Sequence, residues 1–575
     1  MGGGSNLNKI TCNISLVITI IGLLILITGT SYAILRGNTS SLNEQVIKTG
    51  DVTLTLTENY ESMNKKIMVL EDSEGLLQED VYEFNIKNTG SIAARYDLSI
   101  INEVPSSYEG EVIPLEYIKV GLEINGEEYG PFNIGELEGI IDSNIIYRKE
   151  IINYSLRIWL DKEYEEDIES IEGYKAFLKL KVEAEQFLGN LDKSGANEPV
   201  LASSMVPVYY DEEEGIWKKA DETNTNYKHK WYDYNEKMWA NSVTVSSTTR
   251  ETYLEAELGA EVKMDDILTM QVWIPRFNAV TPSNYNGGTM DQPGEIEISF
   301  VKNNQSAIDA FTFGSYELEG FWIGKFENSS IIVPSEEDNT EHTVIIKPNS
   351  VSWTFSNLST FFYSMKNMNI ANNIYGFTLN DDTHMIKNSE WGAVSYLTQS
   401  KYGRCNNKVC TEVTINNCRI EGTVNIMTGI GADTISSIEG ESYTTCVNSS
   451  NKYNGEKGLL ASTTGNIYGV YDMSGGAMEF VMGNYNSELG SSGFNILPDA
   501  KYINIYTSDT YIGHALSETF NWYNDYMYLP RIDGPFIARG GSLYNGIRSG
   551  IFSSFYDTGE ATTLRGSRLA ISVIN

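Results

Sequence analysis

"GNIYGVYDMSGGAMEFVMGNY", residues 465–485, decides how the second half of this chain is read. The glycine pair Gly475–Gly476 is followed by Ala477, Met478, Phe480, Val481 and Met482, an apolar run broken by one carboxylate, Glu479. Two later segments also set a charge among glycines and apolar residues: Arg539 in "ARGGSLYNG" (538–546) and Arg568 in "GSRLAI" (566–571). A charge inside a buried strand must be paired, because neither water nor apolar neighbours can stabilise it there. The expectation is an internal ion pair of Glu479 with Arg539 or Arg568, structural and not catalytic. Glycines at 475, 476, 540 and 541 mark places where the backbone turns or approaches a neighbour closely. The tail 538–571 is rich in Gly and Ser and has no 3.6-residue apolar period, so it is not a helix.

The chain around these segments has 575 residues and room for several domains. Its 41% hydrophobic and 11% aromatic content excludes a disordered protein. Fifty glycines and 36 tyrosines against 13 prolines suit a β- and loop-rich architecture. A formal charge of −36 repels phosphate backbones, so nucleic acid is not an expected partner. It also suits solubility outside the cell.

Residues 1–12 read as a cytoplasmic tip and 13–35, "NISLVITIIGLLILITGTSYAIL", as a transmembrane anchor or a signal segment. This run carries no charge and has the length of one membrane span. Lys9 and Arg36 flank it, and Ser31–Ala33 has the small-x-small pattern of a cleavage site. Either reading implies export. Cys405, Cys410, Cys418 and Cys446 cluster without a nearby His or zinc spacing and are disulfide candidates with three possible connectivities.

Residues 40–187 read as an antiparallel β-sandwich. "DVTLTLTE" turns Val52, Leu54 and Leu56 to one face, "YEFNIKNTG" does the same with Phe84 and Ile86, and Asn125–Gly126 is a hairpin turn. The acidic "DKEYEEDIESIEGY" (161–174) reads as a loop. Periodicity stops at 188–204, which reads as a linker. Residues 205–575 form a further α+β domain with helices expected in "STFFYSMKNMNIANNIYGF" (359–377) and "NSEWGAVSYLTQSKYG" (388–403).

The N-terminal "SYA", "IKTGDVTLTLTE" and "YEFNIKNTGSIAARYDLSI" resemble the TasA/camelysin group of exported bacterial proteins. That resemblance implies an immunoglobulin-like sandwich and an extracellular matrix, fibre or stalk role. No H-E-x-x-H motif is present, so a protease activity is not carried over. In the C-terminal part, Gly469–Gly475, Glu479, Arg539–Ser542 and Gly566–Arg568 resemble the hallmark blocks of the formylglycine-generating (sulfatase-modifying) enzyme family, a C-type-lectin-like fold. Met478, Phe480 and Ser567 depart from the usual pattern. The oxidase members carry a cysteine pair after R-G-G-S, whereas no Cys follows Cys446 here. His229, His342, His384 and His514 lack the pairing of the iron-dependent branch. The resemblance therefore implies the fold without its known chemistries, and a non-enzyme.

"RGGSLYNGIRSGIF" (539–552) is similar to the variable region of lectin-fold proteins diversified by retroelements. Carried across by position, the ligand-binding residues are Tyr544, Asn545, Ile547, Arg548, Ser553, Ser554, Phe555, Tyr556, Asp557 and Thr558. They mix amphipathic rings with small hydrogen-bonding groups, as paratopes do. The enzyme family also implies a structural calcium option at Asn466, Ile467, Gly469 and Tyr471; no cofactor is otherwise required. The chain thus reads as an adhesin-like protein on the bacterial surface or secreted, its partner a protein or glycan. A sulfatase-modifying-type enzyme of unrecognised chemistry and a matrix or fibre subunit are the alternatives.

Overall fold

The protein is seen here as a computed structural model that describes residues 29–34, 43–49, 52–58, 67–90, 93–137, 139–164, 174–187, 189–433, 444–445, 448–508 and 511–574. Strands take up 34% of it and helices 14%, so it is mainly β. It divides into two units: Met1–Leu191 with Thr225–Lys228, and Asp192–Asn224 with His229–Asn575.

Among the described residues the first unit holds two sheets. One runs in the order Gly29–Ile34, Leu178–Gln186, Ala94–Asn102, Ile140–Ile146, the other Asn43–Thr49, Val52–Glu58, Tyr82–Asn88, Ile151–Asp161, Ile118–Ile124, Glu127–Asn133. Val52, Leu54, Leu56, Phe84 and Ile86 of the second sheet share one buried cluster with Leu98, Ile100, Leu180 and Val182 of the first. The period-two pattern of these segments produces that arrangement, since alternate side chains of a strand point to one face. Asn125 (φ 50°) and Gly126 (φ 91°) form the two-residue turn between Ile118–Ile124 and Glu127–Asn133. Both need the left-handed region that Asn and Gly tolerate.

Two boundaries differ from the sequence reading. The end of the apolar run is extended, not helical: Ser31, Tyr32 and Ala33 pair with Val182, Lys181 and Leu180 along an edge of the first sheet. "GTSYAI" carries Thr, Tyr and Ile, residues that favour strands, and Leu178–Gln186 offers an unpaired edge to receive them. The remainder of the run, 13–28, lies outside the described residues, as do residues 165–173 of the acidic loop. Among the described residues no helix is long and apolar enough to cross a membrane. The stretch read as a linker, 188–204, is largely built into the second unit from Asp192 onward. Ala196, Asn197, Ala202 and Ser204 are buried, and the Asn197 amide donates to Val301 O (3.0 Å) and Glu319 O (3.1 Å). Small polar residues suggest solvent; here Asn197 satisfies two buried carbonyls instead.

The second unit is organised by an antiparallel seven-stranded sheet in the order Ile216–Lys219, Met205–Asp211, Asn241–Val245, Ile267–Pro275, Gly320–Gly324, Leu569–Val573, Asp381–Met385. Leu569–Val573 is therefore interior to the sheet. A second sheet places Met478–Tyr485 between Asn504–Tyr506 and Phe536–Arg539, with Ser554–Asp557 beyond and Arg565–Ser567 also on Met478–Tyr485. One helix spans Leu358–Lys366, capped by Asn357, whose side chain accepts from Thr360 N at 3.0 Å. It stops earlier than the sequence expectation, followed by a 3₁₀ turn at Asn367–Asn369. The other helix, Asn388–Thr398, is buried along its whole length.

Candidate recognition surface

Register alone brings the three charged residues together, since Glu479 stands opposite Arg539 on one side and Gly566 on the other. Of the two arginines, Arg568 makes the pair. Its Nε donates to Glu479 Oε2 at 2.8 Å, its Nη2 donates to Glu479 Oε1 and to Tyr471 O (2.9 Å), and its Nη1 donates to Gly324 O (2.7 Å). Burial pushes the Glu479 carboxyl up to about 7, with Arg568 pulling the other way. Two more carboxyls share this interior. Glu327 accepts from Ala477 N (2.8 Å) and Ser352 Oγ; Asp472 accepts from Gly429 N (2.8 Å) and the Asn416 amide (2.8 Å). Burial raises both above their ordinary values, and for Glu327 the neighbouring Asp472 and Glu479 add to the shift.

Arg539 has a different task. Fully buried, it donates to Ser553 O (2.8 Å), Ala515 O (2.8 Å), His514 O (3.3 Å) and the Asn388 side-chain oxygen (2.8 Å). Carbonyls, not a carboxylate, satisfy it, and burial brings its pKa down to about 10. It thereby ties the 551–553 turn to the 514–515 loop. Asp525 holds the same turn from beneath, accepting from Phe552 N at 3.0 Å. Gly541 (φ 69°) completes the fixing: a Cβ there would lie 2.6 Å from Ser549 Oγ, the hydroxyl that donates to Ser542 O (2.7 Å).

On this scaffold the ten residues expected to touch a ligand divide into three groups. Ile547, Arg548 and Tyr556 are exposed. Tyr544, Asn545, Phe555, Asp557 and Thr558 are half-buried, several of them engaged: Asn545 Oδ1 accepts from Ser542 N (2.8 Å), Asp557 accepts from Arg565 Nε (2.8 Å), and the Tyr544 hydroxyl accepts from Arg419. Ser553 and Ser554 are buried, contrary to expectation. Their hydroxyls donate to Arg548 O (2.8 Å) and Tyr528 O (3.2 Å), and the spacing of positions gives no sign of this because it cannot tell which way a short side chain points.

The structure adds residues that the tail alone does not indicate. Tyr526 and Tyr528 run beside Ser554, with Tyr528 N donating to Ser554 O (2.7 Å) and Ser554 N to Tyr526 O (2.8 Å). Their rings stack at 5.5 Å, Phe555 meets Tyr526 edge-on at 5.4 Å, and Tyr528 meets Tyr556 edge-on at 6.3 Å. The Arg531 guanidinium lies 3.9 Å from the Tyr556 centroid and donates to its hydroxyl at 2.8 Å. Arg548 lies 4.8 Å from the Tyr526 centroid. The result is an aromatic strip with a guanidinium at each end, and Tyr528 (45%), Tyr556 (36%) and Ile532 (71%) stand in solvent. Alternating tyrosines in "NDYMYLPR" are the available signal, since an i, i+2 pair shares one face of an extended segment.

The four residues marked for calcium do not form an open cage. Lys325 Nζ donates to Ile467 O and Gly469 O, the Asn466 amide donates to Lys237 O (3.1 Å), and the Tyr471 hydroxyl donates to Tyr453 O (2.8 Å). A calcium ion does not fit this set. Among the described residues no cluster of three or more His, Cys, Asp or Glu side chains is arranged to hold a metal. Cys405 and Cys410 are joined by a disulfide across a tight hairpin, and Cys418 is also disulfide-bonded; Cys446 lies outside the described residues. His342, His384 and His514 sit beside Asp338 (3.1 Å), Glu390 (3.2 Å) and Asp309 (2.6 Å), on three separate parts of the chain, and His229 bonds the Tyr209 hydroxyl (3.1 Å). No protein-family model matches this chain, and no curated protein matches its sequence.

Proposed function

We propose that this chain is an exported, non-catalytic binding protein of the bacterial surface. In this reading a TasA-like, immunoglobulin-like sandwich carries a head of the C-type-lectin-like, formylglycine-generating-enzyme type. The head captures a macromolecule, a protein or a glycan, on the strip formed by Tyr526, Tyr528, Arg531, Ile547, Arg548, Phe555 and Tyr556. One observation carries the proposal: stacked, partly exposed rings stand on a loop whose backbone is fixed from beneath by Arg539 and Asp525. Rigid aromatic area beside arginine is the composition that concentrates binding energy in interfaces. The Cys405–Cys410 bond supports an oxidising, extracellular setting.

The test is an array of cell-surface glycans and extracellular proteins probed with the labelled full chain and with Y528A/R548A/Y556A. The reading expects wild-type signal on particular spots and its loss in the variant. Equal signal from both proteins would move the ligand site elsewhere.

A further inference from the structure

Lys325 follows the strand Gly320–Gly324 directly into the interior, where it is 0% exposed. Its Nζ lies 2.7 Å from Ile467 O and 2.9 Å from Gly469 O. The ring centroids of Trp217 and Tyr471 are 5.2 and 5.4 Å away. Among the described residues no anion acts on it, so burial alone pushes its pKa well below the ordinary lysine value. What resists loss of the proton is the environment itself: two carbonyl oxygens and two electron-rich ring faces. Carbonyls two residues apart, converging on one positive centre, are the arrangement by which a backbone loop holds a hard cation.

The lysine also governs what lies next to it. Lys325 O accepts from Tyr471 N at 2.8 Å, so the residue grips the 467–471 loop by both side chain and backbone. Tyr471 O in turn accepts from Arg568 Nη2. The loop is thus clamped between Lys325 and the buried Glu479–Arg568 pair, and the strand Met478–Tyr485 starts a few residues later.

We propose that the Lys325 amine stands in for a metal ion: its N–H donors occupy the carbonyl pair where the lectin-like resemblance places calcium, and they order residues 466–471 without any metal. The second unit then folds, and presents its aromatic strip, with no dependence on calcium. This holds whether or not the strip binds a ligand.

The test is thermal melting of the full chain, followed by tryptophan fluorescence, in millimolar CaCl2 and in excess EDTA. Identical melting temperatures are expected. A higher melting temperature in calcium would overturn the proposal. The K325M variant keeps the apolar stem but removes the donor; its transition is expected on the order of 5 °C or more below wild type. An unchanged K325M transition would overturn the proposal too. If K325M does not fold, the wild-type comparison still decides.

Discussion

Replacing Arg568 by methionine removes both guanidinium hydrogen bonds from Glu479 and leaves Gly324 O and Tyr471 O without that donor. The two charged side chains are 0% and 1% exposed, so water cannot take the place of the missing group. Breaking a buried ion pair on one side costs about 3–5 kcal/mol, and the two buried carbonyls that lose a donor add about 1 kcal/mol or more. Roughly 5 kcal/mol is the expected loss for Arg568→Met. Glu479→Met leaves Arg568 its two carbonyl acceptors, so about 3 kcal/mol is expected. The double variant should lose less than Arg568→Met alone, because it leaves no buried carboxyl without its partner. Urea unfolding by tryptophan fluorescence reads this well, since every tryptophan except Trp159 lies in the second unit. An unshifted midpoint for Arg568→Met, or a double-variant loss equal to the sum of the two singles, would show that the pair is not coupled as described.

Glu327, Asp472 and Glu479 all have raised folded-state pKa values, that of Glu479 about 7. Between the ordinary carboxyl range and those raised values the folded state binds more protons than the unfolded one, so stability falls as pH rises through that window. The urea midpoint should therefore be higher at pH 5 than at pH 8, and Glu327→Gln should flatten that dependence; an unchanged slope would contradict the buried carboxyl cluster. The Cys405–Cys410 bond closes a short loop with a sequence separation of 5, and C405A/C410A should lower stability by about 2 kcal/mol. Non-reducing peptide mapping checks the pairing itself. Gly541→Ala forces a Cβ against Ser549 at a φ of 69° and should lower the melting temperature by several degrees, on the order of 1–3 kcal/mol of backbone strain; an unchanged melt would show that the turn can relax.

The first unit is legible in the sequence because period two and the Asn125–Gly126 turn are local signals, and the buried faces of Val52–Leu56 and Phe84–Ile86 follow from them. The ion pair is legible as Glu479 with one of two arginines; the choice rests on tertiary contacts that surround Arg539 with carbonyl oxygens, although register sets it opposite Glu479. Gly29–Ile34 is masked by hydrophobicity: an apolar run reads as one segment, although its last residues carry strand formers. The recognition strip is only half visible. Ile547, Arg548 and Tyr556 can be placed from the tail, whereas Tyr526, Tyr528 and Arg531 join them through a long-range strand contact that no local pattern encodes. Lys325 lies more than a hundred residues from the carbonyls it holds, so nothing in either segment announces the other.

The binding reading stands on Tyr528 and Tyr556 facing solvent from a scaffold that does not need them. Hydroxyl-radical footprinting of the free full chain, with a melt of Y528A/R548A/Y556A alongside, tests it most directly. Tyr528 and Tyr556 should oxidise rapidly while the buried Tyr471 and Tyr506 stay protected, and the variant should melt within about 2 °C of wild type. Protection of Tyr528 and Tyr556, or a variant melting many degrees lower, would place those rings in the core and contradict the account.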